Sequence, residues 1–245
     1  MRRTGETTRI RGALFDKDGT LIDFAATWRG VAGRMIDDYS QGDAALADAL
    51  GRAVGFDAAT GVFMPGSPIV AGSTDEVARL MAALIPGAAA EEIESDANRR
   101  AAAAGAGDGL TPVDGLVPTL ERLAAMGLAL GVGTHDSEAA ARAHAGVIGA
   151  APFMSFYAGY DSGVGLKPGP GMPQAFCEAA GLAPEEIVMV GDSLHDLGAG
   201  RSAGAAAVVA VLTGPATEAE LARHADVVLP SVADLPDYLS RAFPA

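Results

Sequence analysis

The sequence predicts an α/β fold: a Rossmann-like parallel sheet interrupted after its first strand by an all-helical insert. Three observations carry this. Two short apolar runs far apart in the chain each end in acid and glycine, Ala13-Leu14-Phe15-Asp16-Lys17-Asp18-Gly19-Thr20 and Ile187-Val188-Met189-Val190-Gly191-Asp192-Ser193-Leu194-His195-Asp196. Such runs read as buried parallel strands emptying into loops. From Pro112 onward, strand-like and helix-like segments alternate, as a sheet covered on both faces requires. Between Phe24 and Ala104, by contrast, the pattern is helical and no strand-like alternation stands out.

The elements follow in order. Ile10 to Phe15 is the first strand. Phe24, Trp28, Val31, Ala32, Met35 and Ile36 then recur at helical spacing, and Ala-rich helices follow at Ala44–Val54, Asp75–Leu84 and Ala89–Ala104. Phe63 to Pro68 has loop chemistry, and the Ala/Gly-rich stretch from Ala101 to Gly109 reads as a helix end running into a hinge. Beyond it, Pro118–Met126 is a helix, Leu128–Val132 a strand, Ser137–Val147 a helix and Phe153–Tyr157 a strand. Pro170–Ala180 is a helix closed by Gly181, Ile187–Val190 a buried strand and His195–Ala203 a helix. Ala207–Leu212 and Val227–Leu229 are strands, and Asp234–Ala242 is the final helix. The expected division is an α/β core of residues 1–23 and 110–245 around a helical domain of residues 24–109.

Composition narrows the function. Seventeen basic against 31 acidic residues give a formal charge of −14, which argues against nucleic acid and anionic membrane as partners, since both demand a basic face. A small anion stays possible, because a few focused donors and a metal outweigh a diffuse field. Lys17 and Lys167 are the only lysines, and both lie in loops after apolar runs. The single Cys177 cannot form an internal disulfide and reads as a small core residue on a helix. No apolar stretch reaches spanning length, and Met1-Arg2-Arg3-Thr4-Gly5 is not followed by a secretory segment, so the expected location is cytoplasmic.

In open α/β sheets, ligands bind in the crevice beyond the strand ends. Asp16, Asp18, Asp192 and Asp196 gathered there would repel one another unless a hard cation lay among them. Magnesium with a phosphate substrate is the economical answer.

Through four motifs in order, the chain resembles the haloacid dehalogenase superfamily on its phosphatase side, and within it phosphoglycolate phosphatase-like proteins. The first motif, Asp16-Lys17-Asp18-Gly19-Thr20, and the fourth, with Asp192 and Asp196, are specific; Thr134 and Lys167 gain force from position. The resemblance implies that Asp16 attacks phosphorus and that Asp18 protonates the leaving oxygen and then deprotonates water. It implies that Thr134 and the following amide hold the phosphoryl group, and that Lys167 offsets the charge of Asp16 and phosphate. Magnesium would be held by Asp16, the backbone carbonyl of Asp18 and Asp192, with Asp196 in support. Lys17, Gly19 and His135 complete the expected phosphate-binding set; His135 stands where many relatives carry Asn.

Blander readings sit beside these. Asp18-Gly19 could be a simple turn, Thr134, Asp136 or Ser137 the cap of the next helix, Asp192 or Ser193 a cap, and His135 a loop residue. The insert would be a mobile cap closing over the site. Phe24 and Trp28 are assigned chiefly to its core. Arg29, Arg34, Arg52, Arg79, Arg99 and Arg100 are candidates to grip a second anionic group, with Ser67, Ser73 and Thr74 as weaker polar candidates. The expected activity is magnesium-dependent hydrolysis of a small phosphorylated, phosphoglycolate-like metabolite. A sugar phosphomutase would use the same core residues, and a non-catalytic module on this fold would lack a catalytic acid. Phosphonate cleavage would need a lysine in the insert, which has none, and dehalogenation would not need Asp18.

Overall fold

The computed structural model describes residues 9–64, 66–104 and 109–244. The expected features at Met1–Gly5 and at residues 105–108 of the hinge lie outside them. The first strand, β1 (Gly12–Phe15), is followed by α1 (Phe24–Ser40), α2 (Ala44–Ala53), β2 (Phe56–Asp57), β3 (Val62–Phe63), α3 (Pro68–Ala71), α4 (Thr74–Ala82) and α5 (Ala90–Ala104). Then come α6 (Leu116–Ala125), β4 (Ala129–Gly133), α7 (Glu138–Val147), β5 (Met154–Ala158) and α8 (Gly171–Ala180). The chain continues through β6 (Ile187–Gly191), α9 (Leu194–Ala203), β7 (Ala207–Val211), α10 (Glu218–Leu221), β8 (Val227–Leu229) and α11 (Leu235–Ala242).

Six strands form a parallel sheet in the order β5-β4-β1-β6-β7-β8. The chain leaves β1 toward one edge through β4 and β5, then returns to its other side for β6, β7 and β8. That reversal opens a crevice at the C-terminal ends of β4, β1 and β6. Alternate side chains go to opposite faces: Ala13, Phe15, Val188 and Val190 join one apolar cluster, while Leu14, Ile187 and Met189 join the other. Burial on both faces explains why these strands read as unbroken apolar runs. Cys177 packs into the second cluster from α8.

Helices α1 to α5 follow β1 and hold their own apolar cluster, including Met35, Ile36, Leu50, Val54, Phe56, Val77 and Met81. Their starts are set by side-chain caps: Asp23 accepts from Ala26 N at 3.0 Å, and Ser73 accepts from Glu76 N at 3.2 Å. The entry and exit chains pair, with Asp23 N donating to Thr111 O at 2.8 Å and Val113 N to Leu21 O at 3.1 Å. The expectation of an all-helical insert needs one correction. Phe56–Asp57 and Val62–Phe63 form a two-stranded antiparallel pair, in register Phe56 with Phe63 and Asp57 with Val62. Two residues per strand are too few for any alternation to show.

Candidate active site

The sheet register builds the site. Phe15 pairs with Val132 of β4 on one side and with Val190 of β6 on the other. The residues just beyond, Asp16, Thr134 and Asp192, therefore emerge side by side. All three are buried, as are Lys167 and Asp196.

Lys167, from the loop before α8, supplies the central cation. Its Nζ lies 2.6 Å from Asp16 Oδ1 and 2.6 Å from Asp196 Oδ1. Burial by itself would depress the Lys167 ammonium, but these two carboxylates outweigh it and raise its pKa. Asp196 is fixed twice over: its Oδ2 accepts from Ser193 N at 3.0 Å and Ser193 Oγ at 2.6 Å, the capping box that starts α9. Both Asp196 oxygens are thus engaged, whereas Asp16 and Asp192 line the cavity.

Oxygens of Asp16, Asp192 and Asp196 lie within 4.8 Å of one another. Burial pushes the Asp16 carboxyl up to about 7; Lys167 opposes the rise, and Asp196 and Asp18 add to it. Asp192 is raised well above the ordinary carboxylate range by burial and then by repulsion from Asp16 and Asp196. Three acids against one ammonium, all donors being oxygen, is a donor set suited to a hard divalent cation.

Glycines make the close approach possible. Gly19 adopts φ +84°, and a β-carbon there would collide with the Asp192 carboxylate; one on Gly214 would collide with it too. Thr20 Oγ1 donates to Asp192 Oδ1 at 3.3 Å, and Thr213 Oγ1 donates to Gly19 O at 2.5 Å. The loop after β7, carrying Thr213 and Gly214, is a part of the site that sequence reading missed, since neither residue sits in a recognisable motif.

The helix-cap alternatives resolve in favour of serine. Ser137 caps α7 by accepting from Ala140 N at 3.2 Å, and Ser193 caps α9. Thr134 Oγ1 accepts from Asp136 N at 3.1 Å, so its own proton is left to donate outward. His135 lies on the cavity wall with its ring centroid 5.6 Å from that of His195.

The Lys17 side chain is buried and is not among the residues that line the cavity. Its Nζ pairs with Asp18 Oδ2, lies 3.4 Å from Asp136 Oδ2 and 3.1 Å from His144 Nδ1. Burial by itself would lower the Lys17 pKa, and Asp18 with Asp136 reverses that to a rise. Burial, and then the Lys17 ammonium, hold His144 below its ordinary value, so it is neutral: Nδ1 accepts from Lys17, and Nε2–H donates to Ala101 O at 2.6 Å. Asp136 was read from sequence only as a possible helix cap and His144 was not singled out, because their partners here are distant along the chain.

Trp28 departs from expectation. Its Nε1 donates to Asp18 Oδ1 at 2.5 Å, and both it and Phe24 line the cavity above the acids. None of Arg29, Arg34, Arg52, Arg79, Arg99 and Arg100 lines that cavity. Arg79 pairs with Asp75 at 2.5 Å, Arg99 with Asp96 at 2.9 Å, Arg100 with Asp38 at 2.8 Å, and Arg52 with Asp48. Ser67 Oγ donates to Val54 O at 2.8 Å and Ser73 caps α4; Thr74 alone of those three reaches the cavity.

Residues 10–204 match the family model described as haloacid dehalogenase-like hydrolase. The chain is 42% identical over 74 residues to a D-glycero-beta-D-manno-heptose-1,7-bisphosphate 7-phosphatase of Haemophilus ducreyi, a match covering 30% of this chain and 41% of that one. It is 35% identical over 132 residues to a phosphoglycolate phosphatase of Chromobacterium violaceum, covering 54% of this chain and 58% of the relative. The chain thus spans about half the length of the curated relatives it matches. A crystal structure of a predicted phosphoglycolate phosphatase from Haemophilus somnus 129PT shares the fold, with a TM-score of 0.73 at 19% identity, covering 95% of this chain and 99% of that one. With the family model matching well over half its length, the chain belongs to the haloacid dehalogenase-like hydrolases.

Proposed function

We propose that the protein is a magnesium-dependent phosphomonoesterase that hydrolyses a small phosphorylated metabolite through an aspartyl-phosphate. The observation that carries this reading is the convergence of Asp16, Thr134, Lys167, Asp192 and Asp196 at adjacent strand ends, with Lys167 Nζ 2.6 Å from the proposed nucleophile. Relatives named as phosphatases support the reaction class.

In the proposed reaction an Asp16 carboxylate oxygen bonds to phosphorus as the ester P–O bond breaks. Asp18 donates a proton to the departing alkoxide, then takes one from the water that attacks the aspartyl-phosphate, releasing inorganic phosphate and free Asp16. Lys17 and Trp28 donate to the two Asp18 oxygens and so orient its carboxyl group. Lys167 offsets the charge of Asp16 as a phosphate dianion approaches, and the Thr134 hydroxyl donates to a phosphoryl oxygen. Asp16, Asp192 and the Asp18 backbone carbonyl would hold magnesium, with Asp196 keeping Lys167 and Ser193 in place around them. When bound, the ion supplies positive charge against the three acids and the phosphoryl oxygens.

The test is turnover of p-nitrophenyl phosphate with magnesium, with EDTA, and by Asp16→Asn. Turnover that needs magnesium and disappears in the variant supports the reading; equal turnover in all three contradicts it. Transfer of the phosphoryl group to an added hexose phosphate in preference to water would make the protein a mutase.

A further inference from the structure

The cavity that begins at Asp16 and Asp18 does not end at the phosphate site. It continues between α1, α4 and α5, the whole cavity having a volume of about 130 Å³, and in that half its wall is hydrocarbon: Trp28, Val31, Met35, Ile69, Val77 and Met81. Thr74 is the one hydroxyl that the described residues of this half contribute. Among the described lining residues, Lys167 is the lone lysine or arginine, and it is committed to Asp16 and Asp196 at 2.6 Å each. Apart from the Thr74 hydroxyl and the Trp28 indole nitrogen, which is held by Asp18, the polar side chains of the lining, including His135, Asp136, Ser193 and His195, belong to the sheet side. A carboxylate or a sugar in the hydrocarbon half would lose its water with only the Thr74 hydroxyl among the lining side chains to replace it, which is unfavourable for a charge and for each hydroxyl left unpaired. An apolar group gains instead.

We propose that the substrate is the phosphate monoester of an apolar alcohol, whose alkyl or aryl group lies in the hydrocarbon half of the cavity between α1 and α4. This deepens the phosphomonoesterase reading and rests on it. It departs from phosphoglycolate, whose carboxylate would find no cation in this half. The arginines expected to grip a second anion are turned outward or spent on surface ion pairs.

Binding and turnover test the two readings separately. Calorimetry on the full chain with magnesium would compare methyl- to butylphosphonate, benzylphosphonate and 3-phosphonopropionate. Affinity should rise about threefold to fourfold per added methylene. 3-Phosphonopropionate should bind at least about tenfold more weakly than propylphosphonate, because its carboxylate is desolvated without a partner. In protein labelled with methyl-¹³C methionine, benzylphosphonate should shift the Met35 and Met81 methyl signals by ring current, and methylphosphonate should not. No binding, a flat series, tighter binding of 3-phosphonopropionate, or unmoved Met35 and Met81 signals would overturn the proposal. Turnover of butyl phosphate and benzyl phosphate is then compared with that of phosphoglycolate. Chain-length-dependent binding without any magnesium-dependent turnover would sink the phosphatase reading and leave the apolar site standing. Magnesium-dependent turnover that favours phosphoglycolate would do the reverse.

Discussion

The indole Nε1 of Trp28 donates to Oδ1 of Asp18 across 2.5 Å, so a side chain of α1 holds the proposed proton shuttle. A hydrogen bond to a charged group is worth about 1.5–3 kcal/mol. Trp28→Phe keeps an aromatic surface and removes the donor. It should lower kcat for an alkyl phosphate about 10- to 100-fold. p-Nitrophenyl phosphate, whose leaving group needs no proton, should be affected less. Steady-state kinetics on the two substrates checks this; equal losses would mean that Trp28 only packs.

Lys17 is the counter-ion of Asp18 and Asp136. Removing one partner of a buried ion pair costs about 3–5 kcal/mol, because the other charge stays buried. Lys17→Met should therefore lower Tm by about 6–20 °C in a chain of this size. Thermal denaturation followed by circular dichroism measures it. A Tm within about 2 °C of wild type would contradict the assignment of Lys17 as a structural counter-ion.

Metal and pH should be linked through Asp16 and Asp192. The unfolded chain releases the Asp16 proton near 3.8, whereas the folded, metal-free protein holds it up to about 7, and Asp192 is raised in the same sense. The native state therefore binds more protons in that window, and its stability falls as pH rises through it. In EDTA, Tm should decline between about pH 5 and about pH 7.5. Saturating magnesium binds the ionised native form and should abolish the decline. Asp192→Asn should flatten the EDTA profile, and an unchanged slope in that variant would contradict the assignment.

Gly19 has no room for a side chain beside Asp192. Gly19→Ala both strains a backbone at φ +84° and displaces that carboxylate. Magnesium affinity, read from the activation curve, should weaken about tenfold or more, as it does when groups that orient a metal ligand are disturbed. Unchanged activation by magnesium would count against Asp192 as a ligand.

The sheet was legible because its signals are local. β1 and β6 are buried on both faces, so their apolar runs are continuous, and each stops at the acid that the site uses. The insert's helices were legible from spacing, but β2 and β3 were not, being two residues each. What escaped were those contacts between distant segments that no motif marks. Lys17 follows Asp16 directly, which suggests a shared target, yet its Nζ turns to Asp136 and His144 of another element. Val31, Met35, Val77 and Met81 read as an ordinary helix core, and only their placement around a space open to Asp16 distinguishes lining from packing. The insert's arginines drew attention by their charge, although acidic neighbours at helical spacing, such as Asp48 for Arg52 and Asp75 for Arg79, already offered them partners.

The central claim is that Asp16 carries the phosphoryl group in transit. Mixing the magnesium-loaded protein with excess substrate and quenching in acid within milliseconds, followed by peptide mass spectrometry, tests it directly. The account predicts a phosphate-sized mass increment on the peptide containing Asp16, lost on brief alkaline treatment and lacking in Asp16→Asn. A burst of product with no such adduct, or an adduct on any other residue, would contradict it.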